Sequence, residues 1–360
     1  MWYTFYMKFL LLGILIFATF IAYADALKLM KQGHYFEAYT AYTNIIFSED
    51  TSVNESKRAQ SLLDASRCLV KLKNYNEAFE FLKSVASSRD EFAVVVACSQ
   101  ALGELCHTGT IIKGQYLRGE NSSTYSSCEY DRVLRLRWLV RIMPRVYMQS
   151  KLRQRWFWTE VVESLEMNGR NKSDAWKLFE LTNLTKLPIK VVKIGGRGSD
   201  SEQKPAQIDE KGEVVFHSLP KSWGNAPNDG QRWMYANDMR AAVDPRGREK
   251  SAKSLGDFAY WQFGVINLHS STNMIATLKT LEDDETLMEI NGEIKKIKLP
   301  MEYNYLRMWR EIKDYKSIGK EYERRYQFAK AVKAYEIGNL KEDMSRIVDF
   351  LASQTKSNSD

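Results

Sequence analysis

One short string recurs near the start of the chain and restricts the fold more than any other feature. Gly33-His34-Tyr35-Phe36-Glu37-Ala38 followed by Tyr42 matches Lys73-Asn74-Tyr75-Asn76-Glu77-Ala78 followed by Leu82, at an offset of forty residues. An aromatic, an alanine three later and a large apolar residue four beyond that share one face of a helix. A small residue ahead of the aromatic allows a tight turn between two antiparallel helices, the alanine lets a second helix approach closely, and the large residue fills the groove beside it. A helical hairpin of this kind cannot bury its apolar face alone, so neighbouring hairpins must stack. The expected fold is therefore all-α, an irregular array of tetratricopeptide-like hairpins with one small β-hairpin inserted. Tyr35, Ala38, Tyr42, Tyr75, Ala78 and Leu82 are its packing residues. The spacing exceeds the usual ~34 residues by a polar loop around Ser48 to Lys57. Phe328, Ala331 and Tyr335 repeat all three positions, whereas Ala175 and Phe179 keep two, with Lys172 in place of the aromatic.

Composition agrees with helix. Gly 19 and Pro 7 in 360 residues are too few for a disordered or collagen-like chain and few for a turn-rich all-β protein. The four cysteines, Cys68, Cys98, Cys106 and Cys128, contain no CxxC pair and are too sparse for a disulfide scaffold. Cys106 and Cys128 bracket residues 107–128, where Gly109, Gly114, Gly119 and a polar run from Glu120 to Ser127 predict a long loop. In an oxidising compartment a bridge between them would fix the loop's ends; two separate thiols fit the spacing equally well.

Residues 1–24 carry a single charge, Lys8, an apolar or small-residue run from Phe9 to Tyr23, and Ala22-Tyr23-Ala24 ahead of Asp25. That is the pattern of a secretory signal cut after Ala24, with a periplasmic or secreted product. An uncleaved membrane anchor is the alternative. The net charge of +7, or +6 without Lys8, then suits anionic lipid head groups, cell-wall polymers or acidic protein surfaces rather than nucleic acid.

The expected organisation runs from helical repeats over 25–194, through a linker and small β-hairpin over 195–228, to C-terminal helical repeats over 229–360. Gly195-Gly196-Arg197-Gly198 lacks the register of a phosphate loop and reads as linker. Asp209-Glu210-Lys211-Gly212 is turn chemistry between Gln207-Ile208 and the β-prone Val214-Val215-Phe216.

From Arg132 to Arg155 there are eight basic residues and no acidic one. Val133, Leu136, Val140 and Met143 form an apolar stripe, and Arg137, Arg141 and Arg145 recur four apart on another side. With Arg153 and Arg155 they are the predicted site for a protein partner or an anionic envelope surface. The competing reading pairs these arginines with carboxylates of neighbouring helices.

No catalytic constellation is legible. His34, His107, His217 and His269 stand far apart, and no nucleophile elbow, HExxH helix or dinucleotide fingerprint occurs. Asp283-Asp284-Glu285 is a candidate for acid–base work, but adjacent acids diverge on a helix and usually mark its first turn. The expectation is a non-enzymatic protein without catalytic, cofactor or metal residues; an envelope hydrolase with an unrecognised site has only scattered acids in its favour.

Several strings, taken in order, carry a family resemblance: Ile111-Ile112-Lys113-Gly114-Gln115-Tyr116-Leu117-Arg118-Gly119; Ser126-Ser127 with Asp131-Arg132-Val133; Ala175-Trp176 to Leu184; Asp209 with Gly212, Val215-Phe216-His217 and Pro220-x-Ser222-Trp223; Asn228-Asp229-Gly230-x-Arg232-Trp233; Gln262-Phe263-Gly264-Val265; and Lys298-Leu299-Pro300-x-Glu302-Tyr303-Asn304. Together they resemble the N-terminal helical region of bacterial alpha-2-macroglobulin-like proteins of the planctomycete and verrucomicrobial type, over most of residues 25–336. The resemblance implies an exported protein whose helical repeats precede β-sandwich macroglobulin domains, a bait region and often a thioester. The chain has no CxEQ sequence, and Cys128-Glu129-Tyr130-Asp131 is not one, so covalent protease trapping does not carry over. What the resemblance implies is a non-catalytic interaction platform or, alternatively, a split component of such an inhibitor.

Overall fold

The computed structural model describes residues 23–50, 53–119, 124–167, 178, 180–194, 209–211, 213–263, 272–290 and 293–357. The protein is mostly helical with small antiparallel β elements. It divides into two compact units, Met1–Gly169 with Thr182–Asp200, and Arg170–Leu181 with Ser201–Asp360. Residues 1–22, the copy around Ala175 and Phe179, and the linker at 195–208 lie outside the described residues.

The first unit contains α1 (residues 23–31), α2 (Tyr35–Phe47), α3 (Glu55–Lys71), α4 (Tyr75–Ser88), α5 (Phe92–Glu104), α6 (Cys128–Ile142) and α7 (Lys151–Glu166). Helix α5 is apolar on nearly every side, and Phe92 to Cys98, Ala101 and Leu102 are all buried. A helix that is apolar all round belongs at a centre, and α3, α4, α6 and α7 pack around this one.

The second unit contains α8 (Asp229–Val243), α9 (Pro245–Phe263), α10 (Thr272–Lys279), α11 (Tyr305–Glu311), α12 (Tyr315–Arg324), α13 (Phe328–Ile337) and α14 (Lys341–Ser357). Trp233 stacks on Phe258 at 5.2 Å between α8 and α9. Tyr260, Tyr305 and Trp309 form an aromatic cluster where α9 meets α11.

The recurring sequence string is the trace of a recurring joint. Gly33, Lys73, Lys313, Tyr326 and Asn339 all have positive φ, between 54° and 85°. Each follows a helix by one residue and precedes the next helix by one. The amide after it bonds back five residues, as Asn74 N–H does to the Leu69 carbonyl at 2.9 Å, and its own amide bonds back three, as Lys73 does to Val70 at 3.0 Å. This pair of hydrogen bonds satisfies two of the carbonyls that a helix leaves open at its end. The residue after the left-handed one is also the cap of the next helix: the carbonyls of His34, Asn74, Asp314, Gln327 and Leu340 accept from the amides four residues on. Gly33 adopts this conformation freely, whereas the lysines, Tyr326 and Asn339 hold it against their own Cβ.

Counted from Gly33, Lys73, Lys313 and Tyr326, position five is Ala38, Ala78, Ile318 or Ala331, and position nine is Tyr42, Leu82, Tyr322 or Tyr335, all eight buried; counted from Asn339 the same positions are the half-buried Met344 and the exposed Val348. The leading aromatics Tyr35, Tyr75 and Phe328 are half-buried. The Lys313 joint was missed in sequence because isoleucine replaces the alanine at Ile318. Close approach is visible at Gly319, where a Cβ would run into the Tyr335 ring of the next helix.

Two regions correct the sequence reading. Residues 107–128 are not a plain loop: β1 (Thr108–Ile112) and β2 (Gln115–Arg118) form a hairpin, joined by β3 (Tyr125–Ser126) and β4 (Val192–Lys193) in the order β2-β1-β3-β4. Lys113 and Gly114, both with positive φ, make its two-residue turn, the geometry that matches strand twist. Helical pattern does not run unbroken from Asp229 either. Asp283-Asp284-Glu285 opens a strand rather than a helix, β5 (Glu285–Ile290), paired with β6 (Glu293–Lys298). Of the hairpin expected near 207–216, the described part shows a turn closed by Asp209 N–H to the Glu213 carbonyl at 2.8 Å and only an isolated bridge at Val214.

A left-handed residue with a Cβ costs about 1–2 kcal/mol, and glycine's extra unfolded-state freedom returns about half of that. Lys73→Gly should therefore raise stability by roughly 0.5–1 kcal/mol, and Lys73→Val should lower it by at least that much. Urea midpoints at constant slope measure both.

Candidate interaction surface

Helix α6 buries two of the arginines of the cationic run. Arg132 forks onto Glu129 (2.9 and 2.6 Å) and donates to Thr182 Oγ1 (2.7 Å). Arg135 reaches Glu160 on α7 at 2.9 Å and Ser99 on α5 at 3.3 Å. Both are nearly inaccessible to solvent. The inward face also takes Leu134, Trp138, Leu139 and Ile142, and is wider than the stripe read from the sequence, whose Val140 and Met143 are half-buried.

The remaining arginines sit further out. Arg141 donates to the Ala86 carbonyl at 2.8 Å and lies 3.7 Å from Asp90; Arg145 meets the same Asp90 carboxylate at 3.2 Å. Two cations thus share one exposed anion. Arg153 bonds Glu55 at 2.5 Å and Ser56 Oγ at 2.8 Å, tying α7 to the start of α3. Arg137 and Arg155 are half-buried, Arg155 with an interaction of its own. The structure therefore brings Arg141 and Arg145 together and places Arg153 on a different carboxylate.

Sequence reasoning missed the apolar part of this corner. Pro144 breaks α6 into a 3-10 turn over Met143–Met148, and Ser150 caps α7. At the bend Tyr147 is 62% exposed, Met148 73% and Leu152 64%, beside exposed Lys151. Their signal was available: three large apolar residues after the proline fall outside the helical stripe.

A second polar constellation lies behind the inserted hairpin. Arg118, at the end of β2, forks onto Asp131 of α6 at 2.7 and 2.9 Å and donates to Ser127 Oγ (2.8 Å) and the Cys106 carbonyl (3.2 Å). Ser127 Oγ donates to Asp131 at 2.7 Å, and His107 Nδ1 lies 2.8 Å from the same carboxylate. Its Nε2 faces the Gly103 carbonyl at 3.3 Å, so both ring nitrogens face oxygen acceptors. In a nucleophilic triad the imidazole stands between acid and hydroxyl. Here the buried carboxylate is the hub and the imidazole turns away from Ser127, which makes the set an anchor. The guanidinium also lies 4.5 Å above the Phe79 ring, and Asn76 of the repeat string donates to the Tyr116 carbonyl at 3.1 Å.

In the second unit Arg325 does similar work. Fully buried, it bonds Glu321 (2.6 Å), the Tyr305 hydroxyl (2.7 Å) and the carbonyls of Glu282 and Glu285 (2.7 and 3.0 Å), which fastens β5 to α12. Of the three adjacent acids, Asp283 meets Arg310 and the Tyr322 hydroxyl, Asp284 meets Lys298 at 3.2 Å, and Glu285 meets Lys296 at 2.7 Å. They act separately rather than as an acid–base pair. Among the described residues no group of three His, Cys, Asp or Glu side chains converges as a metal site, and no helix is long and apolar enough to cross a membrane. No protein-family model, no curated protein and no solved structure matches the chain.

Two buried carboxylates respond to pH in opposite directions. Burial alone would raise Asp131, but the hydrogen bonds from His107 and Arg118 and the charge of Arg118 outweigh it and hold the carboxyl below its ordinary value of 3.8. Its contribution to stability is complete above that value and is lost as pH falls through the lower native one. Burial pushes Glu160 up to about 7, against the pull of Arg135. Its contribution is complete below 4.5 and is lost as pH rises through about 7. Arg118→Met should cost about 3–5 kcal/mol near neutral pH, because it leaves a buried carboxylate short of its cation. Glu160→Gln should flatten the decline in stability between pH 5 and 8, a difference on the order of 2 kcal/mol. Urea titrations across that range measure both.

Proposed function

We propose that this protein is a non-catalytic, exported scaffold that holds an acidic protein partner on the bend between α6 and α7. The observation that carries this reading is the composition of the bend. Tyr147, Met148 and Leu152 project into solvent while Arg141 and Arg145 share a single carboxylate. Aromatic, thioether and arginine side chains around a desolvatable centre are the usual makeup of binding hot spots. The stacked hairpins supply a rigid base for it, and the tetratricopeptide-like kinship belongs to the same proposal.

The wider kinship, with the N-terminal region of alpha-2-macroglobulin-like proteins, is supported by where the resembling strings fall. Arg118 comes from one string and Ser127 and Asp131 from the next, and the three meet in one buried network. Asn228 and Asn304, from two more, cap α8 and α11 by accepting from Gln231 and Arg307 N–H. If the chain is one part of a split inhibitor, the gene beside its own encodes macroglobulin domains.

Within the export reading, Tyr23 favours the uncleaved form. Its hydroxyl donates to Asp64 at 2.9 Å and its ring packs on Tyr42 at 5.7 Å, ahead of the cut expected after Ala24. N-terminal sequencing of the envelope fraction should find a chain that retains Tyr23; a start at Asp25 would assign the product to the cleaved form, and a cytosolic chain would end the export reading.

A photo-crosslinking residue at position 147 should give a discrete protein adduct in cells. Arg137→Gln, Arg141→Gln and Arg145→Gln together should weaken that adduct at least tenfold and lower its sensitivity to salt, since exposed charges are screened within about 10 Å at 0.1 M. The helical signal should stay, with a melting temperature a few degrees lower because Arg141 loses the Ala86 carbonyl. Lipid-only adducts, or an adduct indifferent to the arginines, would overturn the reading.

A further inference from the structure

The inserted sheet brings the chain at two cysteines close together. In the β1–β3 ladder Thr108 pairs with Ser126 and Gly109 with Tyr125. The ladder continues one step past the strands, because Ser127 N–H donates to the His107 carbonyl at 2.8 Å. Cys106 and Cys128 are the residues next beyond that contact on the two chains, Cys128 being the first residue of α6. A second observation places the same backbones together: one guanidinium nitrogen of Arg118 bonds both the Cys106 carbonyl (3.2 Å) and the Ser127 hydroxyl (2.8 Å).

We infer that Cys106 and Cys128 form a disulfide that staples the base of the inserted hairpin to the first turn of α6. Directly opposed antiparallel residues have Cα atoms about 4.5–5.5 Å apart, and the two cysteines adjoin the hydrogen-bonded His107 and Ser127, which starts them near the roughly 4.4–6.8 Å that a disulfide spans. All four thiols are free in the structure, and Cys106 Sγ is turned toward the Thr108 carbonyl at 3.4 Å. Rotation about the Cys106 Cα–Cβ bond would free that sulfur for the bridge. Selectivity follows from access. Cys106 and Cys128 are partly exposed, whereas Cys68 and Cys98 are fully enclosed in α3 and α5.

The oxidant is a small-molecule or protein disulfide. One of the two cysteine thiolates attacks a sulfur of that disulfide and expels one thiol; the other then attacks the resulting mixed disulfide and expels the second. The protein loses two hydrogens and two electrons, and the oxidant becomes two thiols. That such an oxidant meets the protein in the cell rests on the export reading, so the deciding experiment supplies it directly.

The fully reduced, full-length chain is incubated with oxidised glutathione, quenched with acid and digested without reductant. The expected result is an intact mass lower by about 2 Da, one cross-linked peptide pair joining Cys106 to Cys128, and Cys68 and Cys98 alkylatable only after unfolding. Cys106→Ser and Cys128→Ser should each abolish the pair and retain one glutathione on the remaining cysteine, with helical signal unchanged. Wild-type chain that stops with glutathione on both cysteines, keeps both thiols free while a model dithiol in the same buffer closes, or links either to Cys68 or Cys98 would overturn the assignment. A bridge that forms here but is missing from chain taken from cells would count against export alone.

Discussion

A helix ends with carbonyls that must find donors, and in this protein the way they find them determines the rest. Five times the donor amides come from a left-handed residue and its successor, and the successor immediately caps the next helix. Each connection is three residues long. A joint this short restricts the angle between its two helices, and after four of the five the residues at fixed distances beyond it are buried, the Asn339 joint with its half-buried Met344 and exposed Val348 being the exception. The burial of Ala38, Tyr42, Ala78, Leu82, Ile318, Tyr322, Ala331 and Tyr335 follows from the joint as much as from their hydrophobicity.

Where the chain departs from that joint, arginine takes over. Around the β1–β2 and β5–β6 hairpins the carbonyls of Cys106, Glu282 and Glu285 take side-chain donors. Arg118 and Arg325 satisfy them with planar, many-donor heads, each fixed by a buried carboxylate, Asp131 or Glu321. Buried ion pairs are weak contributors to net stability because desolvation offsets attraction. Their effect here is geometric, since a fork of fixed donors accepts one arrangement of partners and rejects displaced ones.

The sequence made the repeats legible because the joint leaves a strong local pattern, an aromatic start and a small residue three later. That pattern fades at Tyr315, where the small residue becomes Ile318, and at Lys341, where the aromatic becomes a lysine. Charge reading was harder. The run from Arg132 to Arg155 has no acidic member, yet Arg132, Arg135, Arg141, Arg145 and Arg153 find their carboxylates at Glu129, Glu160, Asp90 and Glu55, and only Glu129 is a close neighbour in sequence. Periodicity shows which side of a helix is polar and is silent on what lies opposite. The hairpins escaped for a related reason. Gly109 and Gly114 look like loop residues, and Lys113-Gly114 is recognisable as a strand turn only once the flanking Ile112 and Gln115 are seen to pair.

The three-residue joint also separates two kinds of sequence change. Gly, Lys, Tyr and Asn all occupy its left-handed position, so the chemistry of that residue is replaceable at modest cost. Its length is not. With 3.6 residues per turn, one inserted residue would rotate the following helix by about 100° and carry its apolar row from the neighbouring helix to water. Related chains should therefore vary in the letters of these joints while conserving their number, and length variation should collect in the sheet turns.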